Sequence, residues 1–91
     1  MSYRVLIAPL AERRLAAIPR DRLEPVDDRL MTLAQNPRLA GARDLDRTLW
    51  RVRAGEFRIV YTIREEVGVV LVVAIADREV VYRMLRRMGL L

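Results

Sequence analysis

From Leu49 to Tyr61 the chain alternates apolar side chains with arginine, breaks at Gly55-Glu56, and then resumes the alternation. Period-two alternation interrupted by a two-residue Gly-x loop predicts a β-hairpin with a type II′ turn. In that register Ala54 faces Phe57, Val52 faces Ile59 and Trp50 faces Tyr61, all on one side. On the other side Arg53 lies directly across from Arg58, with Arg51 two residues along. Like charges opposed on adjacent strands are destabilising. Two readings follow. Either an anion such as phosphate sits among the arginines, or this is a solvated basic face whose side chains lean apart into water.

The rest of the composition narrows the choice. Residues 1–91 make one small domain able to bury a single core. With 53% hydrophobic residues, this is a folded chain and not a disordered tail. It has no cysteine and no histidine. Disulfides, thiol nucleophiles and the usual zinc ligands are thereby excluded, and a metal would need carboxylates alone. Acid–base work falls to arginine, tyrosine or a carboxylate.

All 17 basic residues are arginine, the net charge is +5 and the pI is near 10.9. Arginine offers a planar fork that pairs bidentately with phosphate and stays charged. The codon bias of a GC-rich genome explains the preference over lysine equally well, but not the clustering. So basic a domain implies an acidic partner: nucleic acid, an anionic membrane or an acidic protein. The longest apolar run, Val67 to Ala76, is ten residues. That falls short of the roughly twenty needed to span a bilayer and suits a buried strand. Met1-Ser2-Tyr3-Arg4 lacks the apolar stretch of a secretory signal, so a cytoplasmic chain is expected.

Along the chain, Tyr3 to Ala8 reads as a strand with Tyr3, Val5 and Ile7 on one face. Pro9 opens a helix to about Ile18, with Leu10, Ala11, Leu15 and Ile18 at helical spacing, and Pro19 ends it. Asp21-Arg22-Leu23-Glu24 matches a capping box for a second helix, which begins there or at Glu24. Its apolar stripe of Leu23, Val26, Leu30, Leu33 and Ala34 stops at Asn36-Pro37. Residues 36 to about 47 read as a loop. After the hairpin, whose second strand runs to Arg64, Glu65 to Gly68 makes a turn. Val69 to Ala76 is apolar on both faces, as for a strand inside a sheet. A helix from Val80 to about Met88 follows. The expected fold is α+β with the order β-α-α-β-β-β-α. A small antiparallel sheet carries two N-terminal helices on one face and a short C-terminal helix.

The element order, Asn36-Pro37-Arg38, the hairpin from Trp50 to Tyr61 and the closing Asp77-Arg78-Glu79-Val80-Val81-Tyr82-Arg83 together resemble the RelE/ParE toxin superfamily. The resemblance runs from Tyr3 to Arg83, and its most specific part is the hairpin followed by Arg-x-x-x-Tyr. These proteins are the toxins of type II toxin–antitoxin systems. The resemblance favours the RelE-like branch, which cleaves mRNA in the ribosomal A site. The alternative is the ParE-like branch, which inhibits DNA gyrase without catalysis.

The resemblance implies a catalytic set of Arg51, Arg53, Arg58, Arg78 and Tyr82. The implied reaction is attack of a ribose 2′-hydroxyl on the adjacent phosphate, with no cofactor and no metal. Arg58 and Arg78 suit stabilisation of the phosphorane. Relatives often carry lysine at the place of Arg51 or Arg53, and arginine is a poor base. Tyr82 exchanges a proton only if nearby arginines lower its phenol from about 10. Asp77, where several relatives carry histidine, is either a base or the ion-pair partner of Arg78 or Arg83. Glu56 reads as a turn residue, and Trp50 and Tyr61 as core. Tyr82 either joins the site or packs with Val81, Met84, Leu85 and Met88. The implied partners are a cognate acidic antitoxin, mRNA and the 70S ribosome, with gyrase in the alternative. Operator DNA is reached only through the antitoxin, and no membrane is involved.

Overall fold

The computed structural model describes residues 2–38, 43–46 and 49–91, the middle stretch by its backbone alone. Strand β1 (Arg4–Ile7) leads into α1 (Pro9–Ala17) and α2 (Arg20–Gln35). Strands β2 (Arg43–Asp46), β3 (Leu49–Ala54), β4 (Phe57–Arg64) and β5 (Val69–Asp77) follow, and α3 (Arg78–Arg87) closes the chain. The α+β class and the order β-α-α-β-β-β-α hold. The sheet gains one further strand, β2, inside the stretch read as a loop. Its sequence is charged, as edge strands commonly are, so composition hides it. Positions 39–42 and 47 of that stretch, and Met1 of the N-terminal reading, lie outside the described residues.

Pro9 opens α1 at the position where its missing N–H costs nothing. Ile18 leaves the helix in an extended conformation before Pro19. The second helix starts at once, with Pro19 as its N-cap and no side-chain cap, so the Asp21–Glu24 capping box does not form. Beginning at Arg20 puts Asp21 inside the first turn, where its charge still favours the helix dipole. Leu10, expected on the buried stripe of α1, is 40% exposed, while Ala11 is fully buried.

The sheet order is β1-β5-β4-β3-β2. Strand β1 pairs parallel with β5, and every other pairing is antiparallel. The hairpin has the expected register, with Trp50 opposite Tyr61, Val52 opposite Ile59 and Ala54 opposite Phe57. Gly55 has φ +63°, and among the described residues no other residue type has positive φ. That combination fits type II′ and excludes type I′, which needs positive φ at both central positions. A Cβ on Gly55 would touch the Pro25 ring at 3.5 Å, so α2 lies over the hairpin turn.

Strand β5 is covered on both faces. Val70 and Val72 join the core beneath α1 and α2, with Tyr61, Ile59, Val52, Val26 and Leu33. Between the pairs Tyr61–Val72 and Val60–Ala74 the register slips, leaving Val73 as a bulge. Beyond it the faces exchange: Ile75 stays with the first core, while Ala74 and Ala76 turn to a second core under α3. Val81, Met84 and Leu85 of α3 fill that second core with Val60 and Leu49. Burying three such side chains contributes about 5–9 kcal/mol as an upper estimate. A domain of this size has little more net stability than that, so α3 is an integral part of it.

The tyrosine and tryptophan of the hairpin are core, as expected. Tyr61 is fully buried and donates its hydroxyl to the Pro37 carbonyl at 2.6 Å. Burial raises its phenol to about 12. Trp50 packs against the same core, with the Arg38 guanidinium 5.6 Å from its ring centroid.

Candidate functional site

The hairpin pattern that puts Trp50, Val52 and Ala54 in the first core sends Arg51 and Arg53 to the opposite face. That is the face on which α3 lies. Arg58 sits between Arg53 on β3 and Ala76 on β5. The small Ala74 and Ala76, with Val60, form the floor. Arg78 begins α3 as that face of β5 ends, and Tyr82 follows one turn later on the same flank of the helix.

All five residues therefore come together. Arg51 donates from Nη1 to the phenol oxygen of Tyr82, joining β3 to α3. Arg58 is the centre of the group. Burial pushes its guanidinium below the usual arginine range, and Arg53, Arg51 and Arg78 push the same way, in that order, while Tyr82 opposes them. Its Nε is buried and has no hydrogen-bond partner among the described residues. A buried donor without an acceptor costs roughly 1–3 kcal/mol. The arrangement is a basic face with guanidinium donors from the strands and the start of α3 and a phenol beside them. Such a set of donors can hold an oxyanion with several acceptor oxygens.

The acidic residues lie elsewhere. Asp77 pairs with neither Arg78 nor Arg83 among the described residues. Its carboxylate accepts from the Val80 backbone N–H at 3.0 Å and caps α3. The ion-pair expectation fails because the residue before a helix has unsatisfied N–H groups closer than any guanidinium. The signal was present in the sequence as an aspartate directly before an apolar-periodic run. Glu56 is a turn residue, as read, and pairs with Arg22 of α2 at 3.2 Å. Arg38, apart from its stacking on Trp50, pairs with Glu65.

One basic cluster escaped the sequence reading. Arg14 of α1 stands beside Val80, Arg83, Met84 and Arg87 of α3, and Arg22 of α2 is close by. No local motif joins them, since three separate helices contribute.

The family model described as ParE toxin of type II toxin-antitoxin system, parDE, matches residues 5–82. Among solved structures, the RelBE2 toxin–antitoxin complex of Mycobacterium tuberculosis is 26% identical with a TM-score of 0.75. That match covers 86% of this chain and 100% of the other. A mutant of the Escherichia coli toxin RelE in the free state superposes with a TM-score of 0.78 at 20% identity, covering 97% and 98% of the two chains. The archaeal RelE–RelB complex of Pyrococcus horikoshii gives 0.72 at 20% identity, covering 86% and 97%. No curated protein sequence matches.

Proposed function

The chain belongs to the family of ParE toxins of type II toxin–antitoxin systems, within the RelE/ParE superfamily, and from that premise we propose that it is a ribosome-dependent mRNA endonuclease. The observation that carries this reading is the convergence of Arg51, Arg53 and Arg78 on Arg58, whose buried Nε has no acceptor among the described residues. A protein-binding surface has no need to hold like charges against one another at a half-buried point. A phosphate passing through a phosphorane has that need, because its charge grows as the reaction proceeds.

In the reaction, the ribose 2′-hydroxyl attacks the neighbouring phosphorus, its proton passing to water, and the bond to the 5′-oxygen breaks. The products are a 2′,3′-cyclic phosphate and a 5′-hydroxyl. Arg58 and Arg78 hold the non-bridging oxygens. Arg53 adds positive potential from the strand edge. Arg51 is a poor base but anchors the Tyr82 oxygen, leaving the phenol O–H free to donate to the departing 5′-oxygen. Alignment of the attacking and leaving oxygens falls to the ribosome and the bound mRNA.

The test is cleavage of a defined mRNA on purified 70S ribosomes, with the 3′ end identified chemically. Cuts within the A-site codon ending in a 2′,3′-cyclic phosphate, absent with Arg58→Ala/Arg78→Ala protein, support the reading. Absence of cleavage by folded, growth-inhibiting protein overturns it. A second reading, inhibition of DNA gyrase without catalysis, is favoured by one observation: the family model matching residues 5–82 is that of the ParE toxins. A gyrase supercoiling assay with the same protein distinguishes the two.

A further inference from the structure

On the flank of α3 opposite Tyr82 lies a second basic feature. A hollow of about 200 Å³ opens where the end of α1, the start of α2 and the start of α3 meet the end of the sheet. Its floor is Phe57, Ile75 and Ala76, and Arg14 and Arg22 stand at its rim. A smaller hollow of about 130 Å³ continues from it between α1 and α3, bordered by Arg14, Arg83, Met84 and Arg87. Arg14 and Val80 line both, so the two form one groove. On α3, positions 80, 83 and 87 share a flank, while 78 and 82 share the other. The helix therefore separates the groove from the arginine face.

We propose that this α1–α3 groove docks an acidic segment of the cognate antitoxin, with two aliphatic side chains seated in the hollows and carboxylates meeting Arg14, Arg83 and Arg87. The inference rests on membership of the toxin family and not on the endonuclease reading. Two features select a peptide over RNA. The hollows combine apolar side chains with arginine rims and are of side-chain size, as in grooves that take an amphipathic helix by spaced anchors. Single-stranded RNA is held chiefly by stacking on exposed aromatic faces. Phe57, the one aromatic in the groove, is half-buried at its floor, and Trp50, Tyr61 and Tyr82 all lie elsewhere. The charge complements the ligand: among the described residues lining the groove, four arginines face one carboxylate, that of Asp77, which is engaged as the α3 cap. The Arg22–Glu56 pair at the rim is 56% and 54% exposed. So open a pair resists exchange weakly, and Arg22 can turn to an incoming carboxylate.

The experiment measures the affinity of purified full-length toxin for the antitoxin encoded beside it, by titration calorimetry at two salt concentrations. Three variants are compared with wild type after circular dichroism has verified their fold. Arg14→Glu/Arg83→Glu reverses the rim charge, and Ala17→Phe fills the larger hollow without changing charge. Arg4→Glu/Arg64→Glu makes the same charge change at the opposite end of β5. The rim reversal is expected to weaken binding about 30-fold or more, and the filled hollow about tenfold. The distant reversal should stay within about threefold of wild type, as expected of charges outside an interface. Wild-type affinity in both groove variants overturns the proposal, and so does equal weakening by the distant reversal, which indicates bulk charge. Unchanged antitoxin affinity with weakened binding to a single-stranded oligonucleotide assigns the groove to RNA and also overturns it. Growth inhibition is scored separately: a wild-type chain that binds antitoxin but never cleaves mRNA defeats the endonuclease reading and leaves the groove standing.

Discussion

Arg51 of β3 donates to the phenol oxygen of Tyr82 on α3, a bond spanning 31 positions of sequence. It ties the strand that carries Arg51 and Arg53 to the helix that carries Arg78 and Tyr82. Tyr82→Phe removes the acceptor while keeping the ring. If the phenol is the proton donor, cleavage on the ribosome should fall about a hundredfold or more. The melting temperature should change little, because the bond is only half-buried. Single-turnover cleavage beside a thermal melt checks both.

Arg58 is held in place against burial and three like charges. Its removal should therefore separate function from stability. Arg58→Met is expected to abolish cleavage, by about a hundredfold or more, while raising the melting temperature. In the wild type, phosphate should raise the melting temperature more than chloride at equal ionic strength, and Arg58→Met should lose that difference. Scanning calorimetry in the two salts reads the effect.

The Tyr61 phenol, raised to about 12 by burial, gives a pH dependence of known sign. An unfolded tyrosine releases its proton near 10, whereas the folded one still holds it. Stability is thus full below about pH 10 and declines between about 10 and 12 by about 3 kcal/mol. Tyr61→Phe should remove this decline. It should also cost about 1 kcal/mol at neutral pH by leaving the Pro37 carbonyl without its donor. Urea denaturation across the alkaline range measures both.

Gly89, at φ +74°, ends α3. The Gly89 N–H reaches the Arg86 carbonyl and the Leu90 N–H the Leu85 carbonyl, the paired bonds of a Schellman cap. Leu90 packs on the core that contains Leu85. Gly89→Ala should cost about 1–2 kcal/mol through the positive φ alone. In a domain of this size that lowers the melting temperature by roughly 4–8 °C per kcal/mol. Gly89→Asn, which tolerates this conformation better, should lose less.

The hairpin was legible because alternation and the Gly55-Glu56 turn report the same register independently. The arginine face came with it, since one register decides both sides of a strand. Arg78 and Tyr82 were different. The pattern of Val81, Met84 and Leu85 predicts a helix with a buried stripe, but only the family resemblance placed that helix on the arginine face. Strand β2 was invisible because its charged residues and bulge resemble a loop. The faces of β5 were unreadable for the opposite reason: with both sides apolar, periodicity carries no information about which side is which. The Arg14–Arg83 groove has no linear signal, because its arginines come from helices far apart in the sequence.

The slip at Val73 acts as a phase shifter for the site. In a strictly alternating strand Ala74 and Ala76 would point toward α1 and α2. The chain would then leave β5 rotated by half a turn, launching Arg78 and Tyr82 away from Arg58. Deleting Val73 would remove the bulge and still leave Ala74 and Ala76 on the Arg58 face, because Ala74 would then follow Val72 directly; by absorbing that one extra residue, the bulge keeps Arg78 and Tyr82 on the right side of the sheet.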